Sequence, residues 1–87
     1  MTDAVERQSV YEPLRRYLDG ITKPVVKMTF GDVERVLGRP LPASARRHQA
    51  WWANETVATH SHAQSWLNAR RETRSVDLNA GKVEFVK

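Results

Sequence analysis

The 87 residues include no cysteine. A disulfide framework and a thiolate zinc site are therefore excluded, and the chain suits a reducing cytoplasm. No apolar run approaches the roughly 20 residues of a membrane helix, and the N-terminal MTDAVERQ has no apolar core of the signal-peptide kind. The expectation is a soluble, cytoplasmic protein with no membrane partner. Glycine is scarce, and Gly20, Gly31, Gly38 and Gly81 are scattered as helix-end and turn residues rather than gathered into a phosphate-cradling loop. Histidine is limited to His48, His60 and His62. His60 and His62 straddle a helix start and have no acidic pair at ligand spacing, so no metal is expected. With no cysteine nucleophile and no serine in a nucleophile-elbow context, neither an enzyme nor a cofactor is expected.

What is present is enough for one small core. A chain of this length buries roughly two-thirds of its unfolded surface, which leaves no room for a second domain. A hydrophobic content of 40%, with three Trp, two Tyr and two Phe, separates it from disordered chains. The net charge is only +4, but it is unevenly spread. Residues 35–74 hold seven arginines against Glu55 and Glu72, giving +5, whereas the remainder holds seven bases against eight acids, giving −1. All four lysines lie outside that middle segment. Arginine is the side chain of bidentate phosphate and guanine contacts, so a polyanion partner is favoured.

The densest part of the middle segment is LPASARRHQAWWAN, residues 41–54. Arg46, Arg47 and His48 form a basic cluster, and Trp51 and Trp52 follow within four residues. Adjacent rings on a helix or strand point in different directions, so one is expected in the core and the other toward a partner or a second layer. Arginine beside tryptophan suits phosphate contact with base stacking, and equally suits core rings covered by arginine stems.

Taken in order, residues 1–8 are polar and expected as a flexible N-terminus ahead of one domain, 9–87. A first helix starts either at a capping box of Ser9 and Glu12 or near Tyr11 with Pro13 in the first turn. Leu14, Tyr17 and Leu18 are its core face, and Gly20 its stop. Residues 25–30, VVKMTF, read as a strand with Val26, Met28 and Phe30 on one side. Thr29 with Asp32 caps a second helix, whose stripe is Val33, Val36 and Leu37 and which ends at Gly38-Arg39-Pro40. Residues 42–48 suit about two turns of helix, and residues 51–53 either a short strand or that helix's tail. Ser61 and Gln64 form a capping box for a helix to about Arg70, with Ala63, Trp66 and Leu67 buried and His62, Ser65, Asn68 and Arg71 opposite. A hairpin closes the chain, with residues 73–78 and 83–86 joined through Asn79-Ala-Gly-Lys82. Val76, Leu78, Val83 and Phe85 are its core side.

Without the irregular segment, this order is that of a winged helix-turn-helix, so the fold class expected is α+β, a winged-helix-like single domain. Its helix before the hairpin enters the major groove and the hairpin contacts backbone or minor groove. Gln64 and Asn68 then suit adenine edges, Arg71 guanine, and Ser65 phosphate. The capped helix start with His62 is a further phosphate site, and Arg46, Arg47, Arg74 and Lys82 supply sequence-independent contacts, with His48 a further contact residue. The segment 39–60 is far longer than the usual turn. Either the winged helix is elaborated there, or residues 42–48 form the second or recognition helix.

The runs YEPLRRYLDG (11–20), MTFGDVERVLGRPLPASARRHQAWWAN (28–54), AQSWL (63–67) and SVDLNAGKVEF (75–85) resemble a small, uncharacterised bacterial domain family. That family occurs alone and appended to larger proteins, including nuclease-like ones. The resemblance covers nearly the whole chain from Tyr11, carries no activity or binding residues, and implies a recurring compact module. The function expected is DNA binding, on duplex DNA, as a transcriptional or nucleoid-type regulator able to dimerise. The alternative is a protein-interaction, adaptor or homodimerisation module with an exposed Trp51 or Trp52 as its hot spot.

Overall fold

The computed structural model describes residues 3–54 and 61–87, with side chains described over 10–54 and 62–87. Helix α1, Asp3–Asp19, begins earlier than the start expected near residues 9–11. Pro13 therefore lies inside it, where it has no N–H to offer the carbonyl of residue 9. The upstream Ala4, Glu6, Arg7 and Gln8 are strong helix formers, and they carry the helix past that lost bond. Leu14 and Leu18 are buried, whereas Tyr17 remains 44% exposed.

Strand β1, Val25–Thr29, buries Val26 and Met28 and passes directly into helix α2, Phe30–Leu37. The junction is a reciprocal capping box. Thr29 Oγ1 accepts from Asp32 N at 2.9 Å, and Thr29 N donates to Asp32 Oδ2 at 3.0 Å. Gly38, at φ +75°, ends α2 in the left-handed region. A five-residue helix α3, Ala43–Arg47, lies where a helix over 42–48 is expected, and a 3₁₀ turn, Gln49–Trp52, takes the place of the expected strand or helix tail. The turn resolves the tryptophan pair as well. Successive 3₁₀ positions diverge by about a third of a turn, so Trp52 enters the core at 1% exposure while Trp51 is half-buried.

Helix α4, Ser61–Asn68, leads into the hairpin of β2, Glu72–Asp77, and β3, Lys82–Val86. The three strands form one antiparallel sheet in the order β1-β3-β2. Val26 is opposite Phe85 and Met28 opposite Val83, so one face of the sheet is apolar and lies under the helices. Helix α1 packs on both α2 and α4. Trp52 stacks at 5.0 Å on Phe30 and at 5.9 Å on Trp66, and Trp66 continues to Phe85 at 5.7 Å. That row of rings joins the start of α2, the 3₁₀ turn, α4 and β3 into one core. The hairpin tip is held by Phe30 N, which donates to Gly81 O at 2.7 Å. The arrangement is a small α+β single domain.

The end of α4 departs from expectation. Its last turn closes with Arg71 N donating to Trp66 O and Arg70 N to Leu67 O, both at 2.9 Å, and with Arg70 at φ +63°. This is a Schellman ending in which arginine takes the left-handed position usually given to glycine. It reverses the chain direction, so Arg71 does not continue the polar face of α4. The side chain turns inward to 1% exposure, where Nη2 donates to Ile21 O at 2.7 Å and Lys23 O at 2.8 Å. Nη1 reaches Pro24 O and Phe85 O at 3.4 Å each. Arg71 is thus a clamp between the α1–β1 loop and β3, which corrects its expected placement on a guanine-reading face. Replacing Arg71 by Ala leaves those partly buried carbonyls without their donor and should cost roughly 3 kcal/mol of unfolding free energy. Urea unfolding checks this, and a loss below about 1 kcal/mol would remove the clamp from the account.

Candidate nucleic-acid interface

The basic cluster on α3 divides into a tied arginine and an open one. Arg46 Nη2 donates to Glu34 Oε2 at 2.9 Å, and its guanidinium lies 5.7 Å from the centre of the Phe30 ring. The same Glu34 oxygen accepts from Leu41 N at 2.8 Å. Glu34 therefore staples the end of α2 to both ends of the following segment. Arg46 and then the Leu41 amide hold its carboxyl below the usual carboxylate range. Arg47 and His48 are exposed. Among the described residues, Arg39, Arg47 and Arg70 are exposed arginines outside every ion pair.

Asn54 fixes the far end of the insertion. Its Oδ1 accepts from Trp66 Nε1 at 2.9 Å and Thr73 N at 2.8 Å, while Nδ2 donates to Thr73 O at 3.2 Å. One amide thus pairs with both main-chain groups of Thr73, as a neighbouring strand would, and satisfies the indole of α4. Thr73 Oγ1 in turn donates to Trp52 O. Gln49 Nε2 repeats the device on Val76 O at 3.1 Å. The carbonyl is presented there because β2 is irregular between Arg74 and Asp77, with Ser75 at φ +56°. The 3₁₀ turn, the edge of β2 and α4 are therefore one rigid unit. A groove of about 340 Å³ runs between Gln49, Asn54, Thr73 and Arg74.

Of the other expected contact residues, Asn68 and Lys82 are exposed and Gln64 is half-buried. Arg74 is exposed, with Nε 3.8 Å from Glu84 Oε1 across the sheet. His62 is half-buried and stacks on Trp51 with ring centres 4.0 Å apart and planes at 7°. Ser65 is only 5% exposed, and its Oγ donates to His62 O at 2.6 Å. Its expected role on phosphate is corrected in the same way as that of Arg71. The side chain is buried within α4, and the hydroxyl is spent on the preceding turn. The Ser61 capping box, His60 and Glu55 lie outside the described residues. Of the tryptophan pair, Trp52 is core, and Trp51 is half-buried, stacked on His62 and 6.3 Å from Tyr11.

Two residues escaped the sequence reading. Arg70, exposed at the left-handed helix end, carries no local signal because arginine is not a usual residue there. Asn54 reads as a turn residue, and its role is set by partners 12 and 19 positions away.

A model of the family described as "Domain of unknown function (DUF7662)" matches residues 11–87, and the chain belongs to that uncharacterised domain family. No curated protein and no solved structure matches it. Among the described residues, no helix is long and apolar enough to cross a membrane.

The Glu34 staple gives a pH-dependent prediction. Its folded-state pKa is depressed, so its stabilisation is fully present above the unfolded carboxylate value and is lost as pH falls through the folded one. Glu34→Gln should lower stability by roughly 1 kcal/mol at pH 7. The gap to the parent should close as pH drops below about 4. Urea titrations at pH 7 and in that acidic range test it, and a gap independent of pH would contradict the staple.

Proposed function

For this member of the DUF7662 family, we propose a DNA-binding domain of the winged helix-turn-helix kind. The observation carrying this reading is the element order with sheet order β1-β3-β2, which sets α4 immediately before the β2–β3 hairpin. In a winged helix these two elements address the major groove and the flanking backbone or minor groove. The segment of α3 and the 3₁₀ turn is an elaboration between the two helices, locked to the hairpin edge through Gln49 and Asn54.

Helix α4 offers Gln64 and Asn68 to base edges, with Arg70 on the phosphate beside its C-terminal end. Arg47 and His48 approach the backbone from α3, and Arg74 and Lys82 do so from the hairpin. Arg46 is secondary, because Glu34 already neutralises it. Ser65 and Arg71 take no part. A role as a transcriptional or nucleoid-type regulator follows if sequence preference accompanies the phosphate contacts.

Anisotropy of a labelled random duplex, titrated with protein at increasing salt, tests the reading. Micromolar-range binding at low salt that weakens steeply as salt rises is expected. Arg47→Glu with Arg70→Glu should stay folded, since neither residue has a partner acid among the described residues, and should bind at least roughly tenfold more weakly. The salt slope should become shallower by about 2. Arg70→Gly separates stability from binding at one position. Glycine suits φ +63°, so the variant should gain about 1 kcal/mol of stability while losing DNA affinity. Unchanged duplex affinity in the double variant would overturn the proposed surface.

A further inference from the structure

We propose that the outer edge of β1 is a docking site for an extended, acidic segment of a partner protein, which adds to the sheet as a fourth strand. The sheet order leaves β1 at an edge, with β3 on one side only. Lys87 N donates to Pro24 O at 2.9 Å and Phe30 N to Gly81 O at 2.7 Å, so positions 24, 26, 28 and 30 turn their main-chain groups toward β3. The alternating ladder then turns Val25, Lys27 and Thr29 outward. Thr29 is already used, because its N–H goes to Asp32 Oδ2 and its carbonyl opens the bonding of α2. Val25 and Lys27 remain. Their two N–H and two C=O groups have no backbone partner among the described residues. That is the set an added strand takes up.

The surroundings say which strand. Tyr17, Ile21, Lys23, Val25 and Lys27 line a groove of about 530 Å³ beside this edge. Tyr17, the exposed large hydrophobic side chain of the described residues, forms its wall at 44% exposure. The neighbouring hollow of about 360 Å³ adds Val36, Arg35 and Asp32. The one acid, Asp32, is engaged by Arg35 and by Thr29 N. Arg35 and Asp32 offset each other, and Glu84, opposite Lys27 on β3, lies beside Arg74, so Lys23 and Lys27 set the sign of the rim, and it is positive. The same charge disfavours a second copy. Two β1 edges paired about Val26 would bring Lys27 diagonally opposite its own counterpart, at a spacing of about 7–8 Å or less. A lysine in the middle of an edge strand is a common guard against self-pairing. An acidic strand meets no such barrier, and its apolar residues would cover Tyr17.

The test uses a short acetylated, amidated peptide alternating Glu with Val and Thr, and a control with Lys in place of Glu. Binding to the full chain is followed through the backbone amide signals. The Glu peptide should shift the Val25 and Lys27 amides with a dissociation constant below about 1 mM, and the Lys peptide should not. Lys27→Pro removes one outward N–H while leaving the β1–β3 ladder intact, and should weaken binding by at least roughly tenfold. Lys23→Glu with Lys27→Glu keeps the backbone and should transfer the preference to the Lys peptide. Amides at 25 and 27 that stay unmoved with peptide in excess would overturn the proposal. So would equal affinity for both peptides, or protection of those amides by self-association without peptide.

Discussion

A guanidinium without a carboxylate partner among the described residues sits at the junction of four segments, and the arrangement of the domain depends on how it is held. Arg71 holds the carbonyls of Ile21 and Lys23 with one nitrogen and lies near those of Pro24 and Phe85 with the other. A buried charge of this kind is costly unless fixed dipoles replace its water. Here the backbone supplies them. Because the loop that offers the carbonyls is the one entering β1, the clamp sets both the position of the edge strand and the angle at which α1 leaves the sheet. Because Arg71 follows the reversed end of α4 directly, the same contact sets the direction in which that helix meets β2.

A second constraint operates at the β2 edge of the sheet. The α3 segment and the 3₁₀ turn have too few residues to form an independent layer, so they are held by one deep ring and two amides. Trp52 stacks between Phe30 and Trp66 and donates its indole N–H to Ala45 O at 2.8 Å. Asn54 and Gln49 then occupy the edge of β2 that would otherwise be open. The sheet is consequently asymmetric. Its β2 edge is closed by side chains of the chain itself, while its β1 edge retains unused main-chain groups under a lysine. The two proposed interactions fall on different sides of the molecule for this reason. DNA is assigned to the side of α4 and the hairpin, and a protein strand to the side of β1.

The parts legible in the sequence are those fixed by local chemistry. Thr29 and Asp32 are three residues apart, and the capping box they form follows from that spacing alone. Gly38 and Gly81 mark left-handed turns in the usual way, and the alternation around Val83 and Phe85 places the buried face of the hairpin. The parts that were not legible depend on distant partners. Asn54 resembles any turn asparagine until Trp66 and Thr73 arrive beside it. Arg70 takes a glycine conformation with no glycine to announce it, so the helical spacing that grouped Ser65, Asn68 and Arg71 ran past the end of α4 at Arg71, while Ser65, inside the helix, is turned onto the His62 carbonyl. Asn68 is exposed, whereas the other two are buried. Of the basic residues expected at the interface, Arg47, His48 and Lys82 remain open, and Arg46 and Arg74 face acids.

The central claim is that α4 and the β2–β3 hairpin form a DNA-binding face. Mapping backbone amide shifts during titration with a short duplex measures this most directly. The account predicts that perturbations concentrate on residues 62–70, on Arg47 and His48, and on the hairpin from Arg74 to Lys82, while Val25 and Lys27 stay unmoved. Shifts centred on the β1 edge, or none at low salt, would contradict it.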